Sequence, residues 1–308
     1  MEPVLTVVCL CYNQKEYVEE AVKSVFSQQD VPFEVIIIDD YSTDGSGDKI
    51  KELAKEYPFE HLILHQENKG NCTSFNEALK LAKGKYIIDL ATDDYFLEGA
   101  FKRQIDFFEK QEENVGMVFS NAELVDEKSG FIKHHFPIDE KGASLEEVPS
   151  GSLFKDVLEK YFICVPSMVM RKSWLIELGG YNEKLSYEDF DLWVRGALIA
   201  EFIYLDEVLV AKRKHNTQLS KQMLTYQSRA YYASTLAVCE FASCNVTNAK
   251  EEKALVHRLK YEGRNASFFL AKVDFSQLLK KHKQWNVLLS LRWKTYSVIG
   301  RIVSYIRR

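Results

Sequence analysis

Long uncharged apolar runs are the first feature that the 308-residue sequence lacks. No stretch approaches the ~20 consecutive apolar residues that a membrane-spanning helix needs. The chain begins Met1-Glu2-Pro3 and passes directly into a strand-like run, without the basic segment and cleavage site of a signal peptide. These absences predict a cytoplasmic protein, which would reach a membrane only as a peripheral protein on the inner face of the plasma membrane.

Metal-site cysteine spacing and an excess of positive charge are also missing. The six cysteines form no CxxC pair and accompany no histidine cluster, which argues against structural zinc. The net charge of −5 argues against a nucleic-acid-binding surface, so we expect no nucleic-acid partner. With 46% hydrophobic and 28% charged residues, the chain is able to bury a sizeable core.

Acidic residues are absent from one end of the chain. Residues 277–308 contain eight Lys or Arg and no Asp or Glu, which leaves the rest of the chain at −13. Apolar side chains recur there at steps of three and four, which predicts an amphipathic helix. The helix would either lie on an anionic membrane surface or pack on the protein with a basic outer face, and we favour the membrane. The stripe consists of Leu288, Leu291, Thr295, Val298, Ile302 and Tyr305.

Short apolar runs alternate with helical patterns over the first part of the chain. This alternation predicts an α/β fold with a mostly parallel, doubly wound sheet, which binds ligands beyond the carboxyl ends of its strands. A capping-box spacing at Ser74 and Glu77 predicts a helix over 74–83. We expect one domain over 1–220, with a long irregular excursion at 122–160, and a helical region over 221–308. The predicted strands are 5–11, 33–39, 61–65, 86–90 and 115–120, and the other predicted helices include 15–29 and 98–112.

Paired carboxylates stand at two of the predicted strand ends. Asp93-Asp94 follows a buried strand, where oxygen ligands suit Mg²⁺ or Mn²⁺. A plain helix N-cap explains that pair equally well. Asp39-Asp40 follows another strand and would accept an N–H from a base, although a turn that caps the next helix is the simpler explanation when it is taken alone.

A third acidic group lies at a predicted helix start. Glu188, Asp189 and Asp191 occur together in "SYEDFDLWVRG". One of them would serve as a general base for a hydroxyl nucleophile. Taken alone, the group is better explained as charge that favours a helix N-terminus.

Motifs of other α/β enzyme classes are not found. The sequence has no GxSxG, no GxxxxGK[ST], and no GxGxxG after the first strand, where "YNQKEY" stands instead. These absences argue against hydrolase, P-loop and dinucleotide-binding dehydrogenase functions. They leave a sheet that handles phosphate through a metal ion.

Four segments in order carry a family resemblance: "TVVCLCYNQKEYVEEAVKSVFSQ", "FEVIIIDDYSTDGS", "ENKGNCTSFNEALKLAKGKYIIDLATDDYFL" and "GGYNEKLSYEDFDLWVR". Together they resemble the family 2 glycosyltransferases of bacterial type over about residues 5–220. The resemblance implies a GT-A fold, which is Rossmann-like, with a C-terminal helical extension. It also implies an inverting transfer from a nucleotide-sugar donor, most simply a UDP-sugar, to a hydroxyl of a glycan or lipid-linked acceptor in surface-polysaccharide assembly.

The resemblance also assigns roles by position. Asp189 would be the catalytic base, with Glu188 and Asp191 beside it. Asp93, Asp94 and His215 would hold Mn²⁺ or Mg²⁺. Within the nucleotide pocket, Asp40 would contact the base and Asp39 would support its loop. The full nucleotide-binding set would be Tyr12, Asn13, Asp39, Asp40, Asn68, Gly70, Asn76 and Arg213.

Two positions depart from the family pattern, and two other functions stay open. Ala91 stands where the family commonly has an Asp, and Phe75 where it commonly has an Arg. A GT-A-like nucleotidyltransferase is one alternative, although its Gly-rich basic loop is absent after the first strand. The other is a catalytically weak or silent sugar-nucleotide-binding subunit of a membrane-associated complex. Ala91 favours this alternative, whereas Asp189 and His215 count against it.

Overall fold

The computed structural model of the chain describes residues 2–215 and 228–306. The chain divides into two compact units. Among the described residues, the first unit consists of 2–152, 163–181 and 199–215, and the second of 153–162, 182–198 and 228–306. The predicted boundary between residues 220 and 221 lies outside the described residues.

A single mixed sheet organises the first unit. Within the described ranges it has nine strands in the order β3-β2-β1-β4-β8-β6-β9-β5, with β7 paired to β6. The first four strands of that order are parallel. The strands are β1 (Leu5–Cys11), β2 (Phe33–Asp39), β3 (His61–Leu64), β4 (Tyr86–Ala91), β5 (Tyr95–Phe96), β6 (Val115–Val125), β7 (Phe131–His134), β8 (Val169–Arg171) and β9 (Glu201–Arg213).

The central strands are continuous apolar runs because helices cover both of their faces. Every residue of β1 is buried, and so are six of the seven residues of β2. The helices of this unit are α1 (Val18–Phe26), α2 (Ser46–Leu53), α3 (Asn71–Leu81), α4 (Ala100–Phe108) and α6 (Lys172–Glu177). The predicted α/β fold with a parallel sheet core is confirmed.

The start of α3 differs from the prediction. The helix begins at Asn71, three residues earlier than the capping-box spacing indicated, and no side chain caps its first turn. The Ser74 hydroxyl instead donates to the Gly70 carbonyl at 3.0 Å. The backbone of Gly70 takes the N-cap position because its φ of +83° is a conformation that favours glycine.

The segment predicted as an irregular excursion is partly regular. β6 continues to Val125, five residues beyond the predicted strand, and pairs with β7 in a hairpin. The same strand pairs in parallel with β9 from Val115 to Val125. A one-turn 3₁₀ helix over Val165–Ser167 precedes β8.

The second unit is helical in its described parts. It contains α5 (Phe154–Glu159), α7 (Asp189–Gly196), α8 (Arg229–Asn245), α9 (Ala249–Phe268), α10 (Ser276–Lys281) and α11 (Val287–Ile306). The Asn248 side chain caps α9 by accepting from the backbone N–H groups of Lys250 and Glu251. No helix in the described part of the chain is long and apolar enough to cross a membrane.

Candidate functional site

The carboxyl ends of β1, β2 and β4 meet at one edge of the sheet in the first unit, since Cys11 is in register with Asp39 and Leu10 with Ala91. Asn13, two residues after the end of β1, connects the loop after β1 to the loop after β2. The Asn13 backbone N–H donates to Ser42 Oγ at 2.9 Å, and Asn13 Oδ1 accepts from the Thr43 N–H at 2.8 Å.

Gln14 extends this connection to the third strand end. Its backbone N–H donates to Ser46 Oγ at 3.0 Å, and its side-chain oxygen accepts from the hydroxyl of Thr92. The loop after β1 is therefore fixed to the loop after β2 and to the turn after β4. Tyr12, which precedes Asn13 and Gln14, has 48% of its surface exposed, and its nucleotide role stays a prediction.

Asp40 uses both carboxylate oxygens to hold the loop over residues 65–70. Oδ1 accepts from the Lys69 N–H at 2.8 Å and lies 2.8 Å from His65 Nδ1. Oδ2 accepts from the Gly70 N–H at 2.8 Å. The Asn68 amide donates to the backbone carbonyl of Asp40 at 3.3 Å. The predicted residues Asp40, Asn68 and Gly70 are thus brought together.

Asp39 is placed differently, although it adjoins Asp40. Its Oδ2 accepts from the Ser42 N–H at 3.1 Å, while its buried Oδ1 has no hydrogen-bond partner within the described structure. A buried carboxylate oxygen without a donor is costly. Asp39 Oδ1 is therefore an enclosed acceptor whose hydrogen-bonding capacity is not used within the described structure.

Asp93 and His215 form a buried pair beyond the end of β4. His215 Nε2 lies 2.8 Å from Asp93 Oδ2, and the His215 ring lies 5.1 Å from the Tyr17 ring. The residues that follow Asp94 form β5, and α4 begins only at Ala100 with Gly99 at its N-cap. The acidic pair is therefore not the helix N-cap that the sequence also allowed.

Asp94 is turned toward the protein backbone. Its N–H donates to the Ala91 carbonyl at 3.0 Å, and its Oδ1 accepts from the Arg213 N–H at 2.8 Å. Burial, and then the neighbouring Asp93 charge, raise the pKa of Asp94 to about 8.

Arg213 is buried, and its side chain contacts several neighbouring residues. Its guanidinium donates to the Asp93 carbonyl at 3.0 Å and to the Asp126 carbonyl at 3.1 Å. It also pairs with Glu20 and lies over the Tyr17 ring, 4.6 Å from the centroid. These contacts position the Asp93 turn, and the predicted contact of Arg213 with a nucleotide stays a prediction.

Asn76 takes part in a backbone clamp. Its side-chain amide donates to the Tyr181 carbonyl at 2.8 Å and accepts from the Tyr181 N–H at 2.8 Å. Phe75, the residue that replaces the family Arg, stacks on the Tyr181 ring with centroids 3.9 Å apart. The nucleotide role of Asn76 stays a prediction.

The donors at the Asp93 turn suit a divalent ion that substrate would help to hold. Among the described residues no group of three His, Cys, Asp or Glu side chains forms a complete metal site. Asp93 and His215 nevertheless converge, and an oxygen and an imidazole nitrogen suit Mn²⁺. Mg²⁺ and similar ions commonly use one or two carboxylates plus substrate phosphates, so a two-ligand site fits.

The predicted base lies in the second unit. Asp189 is the first residue of α7, and its Oδ1 accepts from the N–H of Phe190 at 2.7 Å. Glu188 is the N-cap residue of that helix. Asp191 is buried and pairs with Arg195, with 2.6 Å between Oδ2 and Nη2. The Asp191 carboxylate is therefore held in an ion pair within α7.

Three contributing residues were missed by the sequence reasoning. His65 and Glu77 extend the Asp40 network, with His65 Nε2 3.1 Å from Glu77 Oε2, and Glu20 receives Arg213. The sequence did contain a signal for His65, because this residue follows the apolar run of β3 just as Asp40 follows β2. The sequence contained no such signal for Glu20, because its partner Arg213 lies 193 residues further along the chain.

Comparison with known proteins places this chain in a family. The model of the family described as glycosyl transferase family 2 matches residues 6–179, more than half of the chain. The putative teichuronic acid biosynthesis glycosyltransferase TuaG of Bacillus subtilis is 28% identical over 172 residues, which cover 56% of this chain and 64% of TuaG.

Solved structures share the fold. S. aureus TarS 1-349 in complex with UDP-GlcNAc has a TM-score of 0.64 at 18% identity, covering 92% of this chain and 78% of that one. The mannosyltransferase PcManGT from Pyrobaculum calidifontis, in complex with GDP-Man and Mn²⁺, has a TM-score of 0.60 at 16% identity, covering 98% and 85%. The chain belongs to glycosyl transferase family 2 and is a glycosyltransferase with a GT-A fold.

Proposed function

We propose that this glycosyltransferase moves a sugar, with inversion, from a nucleoside diphosphate donor to an acceptor hydroxyl. The observation that carries the proposal is the placement of the Asp93–His215 pair at the same sheet edge as Asp39 and Asp40. A UDP-sugar is the favoured donor. TarS with UDP-GlcNAc and PcManGT with GDP-Man support a nucleotide sugar in this fold.

The pocket after β2 would take the nucleoside. The unpartnered Oδ1 of Asp39 supports giving the base N–H contact to Asp39. Asp40 then holds the loop of Asn68 and Gly70 against the ligand. This arrangement exchanges the two roles that the family resemblance implies for Asp39 and Asp40.

Asp93 and His215 would hold the divalent ion, with Asp94 behind them. When bound, the ion offsets the negative charge that develops on the diphosphate as it leaves. PcManGT in complex with Mn²⁺ supports a metal in this fold. Ala91 replaces the first carboxylate of the family pattern, so Asp93 and His215 would be the side chains that coordinate the ion.

Asp189 would act as general base. Its carboxylate takes the proton of the acceptor hydroxyl while that oxygen bonds to the anomeric carbon of the sugar. The bond from the anomeric carbon to the diphosphate breaks on the opposite face, so the configuration inverts. The products are the glycoside and the nucleoside diphosphate, and the proton remains on Asp189.

The acceptor is proposed to be a glycan or lipid-linked hydroxyl in surface-polysaccharide assembly. The name of TuaG, which includes teichuronic acid biosynthesis, supports this class. The corresponding place of work is the inner face of the plasma membrane.

A donor screen tests the proposal on the wild-type chain and on two variants. We expect a UDP-sugar or GDP-sugar to raise the melting temperature, more so with Mn²⁺, because a ligand that binds only the folded state stabilises it. Asp189→Asn should keep that shift and lose about 100-fold or more of turnover. Asp93→Asn should lose the Mn²⁺-dependent part of the shift.

The matched control is Glu240→Gln, which removes an exposed carboxylate in the second unit and should keep both the shift and the turnover. Unchanged turnover in Asp189→Asn would show that the base is another residue. If no nucleotide sugar shifts the melting temperature in the presence or absence of Mn²⁺, the donor proposal is wrong.

A further inference from the structure

Among the described residues, helix α11 packs on the protein through one face. Trp293 and Gly300 are buried on that face, against α9. A Cβ placed on Gly263 of α9 would come within 2.0 Å of the Trp293 ring, and one on Gly300 within 1.9 Å of the Phe268 carbonyl oxygen. These two glycines bring the helices into close contact and fix which side of α11 faces outward.

The opposite face of α11 is apolar and exposed. At 3.6 residues per turn, the side chains centred on Leu291 and Ile302 point away from Trp293. More than half of the surface of each is exposed, although apolar residues normally avoid forming a continuous exposed stripe. The stripe contains Val287, Leu288, Leu291, Val298, Ile302 and Tyr305.

Basic side chains border this stripe on both sides. On the helical wheel Arg292 lies along one border, and Lys294 and Arg301 lie along the other; all three are exposed. Residues 277–308 contain no acidic residue that would neutralise them. An apolar stripe between two basic borders is the pattern of a helix that lies in the plane of an anionic membrane surface.

We propose that α11 docks the protein on an anionic phospholipid bilayer, with the stripe at the acyl boundary and Arg292, Lys294 and Arg301 on lipid phosphates. Long basic side chains extend their apolar stems along such a boundary while their charges stay among the headgroups. Because the Trp293 face is packed on α9, the helix lies along the surface with its outer face only in lipid.

Charge decides between a bilayer and a second copy of this chain. A symmetric dimer through the stripe would place the basic borders of the two helices together, and like charges across an interface oppose association. Anionic lipid instead supplies the complementary charge, at about 1 kcal/mol per Lys or Arg, which is roughly fivefold in affinity each. The proposal does not depend on the donor or on the transfer chemistry.

Vesicle sedimentation of the full chain tests the surface. We expect binding to vesicles of phosphatidylcholine and phosphatidylglycerol in equal parts, and little binding to phosphatidylcholine alone. Replacing Arg292, Lys294 and Arg301 together by Gln should weaken binding about 100-fold. Leu291→Asp with Ile302→Asp should weaken it at least about 10-fold, because both side chains enter the boundary.

Matched controls separate the helix from general charge and apolar surface. Gln at the exposed Lys55, Lys80 and Lys110 removes the same charge elsewhere, and Leu145→Asp removes an exposed apolar side chain outside α11; both should bind like wild type. Equal binding to the two kinds of vesicle would overturn the proposal, and so would wild-type binding by the α11 variants.

One further result would also overturn it. If the protein ignores vesicles but forms a lipid-free dimer in sedimentation velocity, and the Leu291→Asp, Ile302→Asp variant loses that dimer, the stripe belongs to a second copy. Unchanged far-ultraviolet circular dichroism and melting temperature keep every variant interpretable, since all the substituted side chains are exposed.

Discussion

At the scale of single residues, Asp89 shows how burial controls a carboxyl group. It lies in β4 with its Oδ2 accepting from the hydroxyl of Tyr181 at 2.8 Å. Burial raises the pKa of Asp89 to about 7, and the Tyr181 hydrogen bond only partly opposes that rise. The same carboxyl raises the pKa of the neighbouring Cys9 thiol, after burial itself.

The raised pKa predicts that Asp89 destabilises the protein as the pH rises. Below about pH 4 the folded and unfolded chains both hold the proton, so the residue costs nothing. Between about pH 4 and pH 7 only the folded chain keeps it, and the cost grows with pH. Asp89→Asn removes the ionisation and keeps an acceptor for Tyr181. The unfolding free energy of Asp89→Asn minus that of wild type should therefore be about 2–3 kcal/mol larger at pH 8 than at pH 5.

Urea denaturation at the two pH values measures that difference. Asp30→Asn, at an exposed carboxyl, serves as the control and should show no such trend. A gain that stays constant or falls with pH would mean that Asp89 is ionised in the folded protein at both pH values.

Neighbouring residues of one motif also differ in ways that the sequence does not reveal. Asp39 and Asp40 were both placed correctly at a strand end by the apolar run before them. Which oxygen would lack a donor depends on His65, Lys69 and Gly70, which approach Asp40 from another loop. The placement of both carboxylates at a strand end was predictable, whereas their different hydrogen-bond partners were not.

At the scale of elements, the predictable strands are those whose signal is local. β1, β2 and β4 are short apolar runs buried on both faces, and each was predicted within one residue of its ends. The extension of β6 depends on β7 and on β9, which lies about 80 residues further along the chain. Non-local pairing of this kind leaves no periodic mark on the sequence.

The close packing of α9 and α11 allows a prediction of how Gly300→Ala changes the stability of the protein. In an isolated helix, Gly→Ala stabilises by about 1 kcal/mol. At Gly300 the added Cβ would lie 1.9 Å from the Phe268 carbonyl oxygen, a backbone atom that moves only with its helix. Gly300→Ala should therefore destabilise the protein, by roughly 1–3 kcal/mol.

Thermal unfolding of the full chain checks the sign of this effect. Thr295→Ala, on the exposed side of the same helix, is the control and should change stability by no more than about 0.5 kcal/mol. A higher melting temperature for Gly300→Ala would show that helix propensity prevails and that the two helices are further apart than the structure has them.

At the scale of the whole molecule, the predicted site residues are distributed over two compact units. The strand-end carboxylates and His215 belong to the first, while Asp189 and the basic helix α11 belong to the second. The sequence predicted a separate helical region but not that short segments at 153–162 and 182–198 group with it. Such grouping depends on tertiary contacts, for example the Arg258 guanidinium that lies 4.1 Å from the Tyr161 ring centroid.

This distribution predicts where a bound donor nucleotide protects the backbone from hydrogen exchange. With UDP and Mn²⁺, slower exchange should appear at residues 12–15, 39–45, 65–70 and 91–94, because ligand contacts suppress local opening of these loops. Helices α9 and α11 should exchange at an unchanged rate. Asp39→Asn should weaken protection at 39–45 more than Asp30→Asn does, since it alters the unpartnered acceptor. Protection confined to 249–306 would place the nucleotide in the second unit and contradict the proposed pocket.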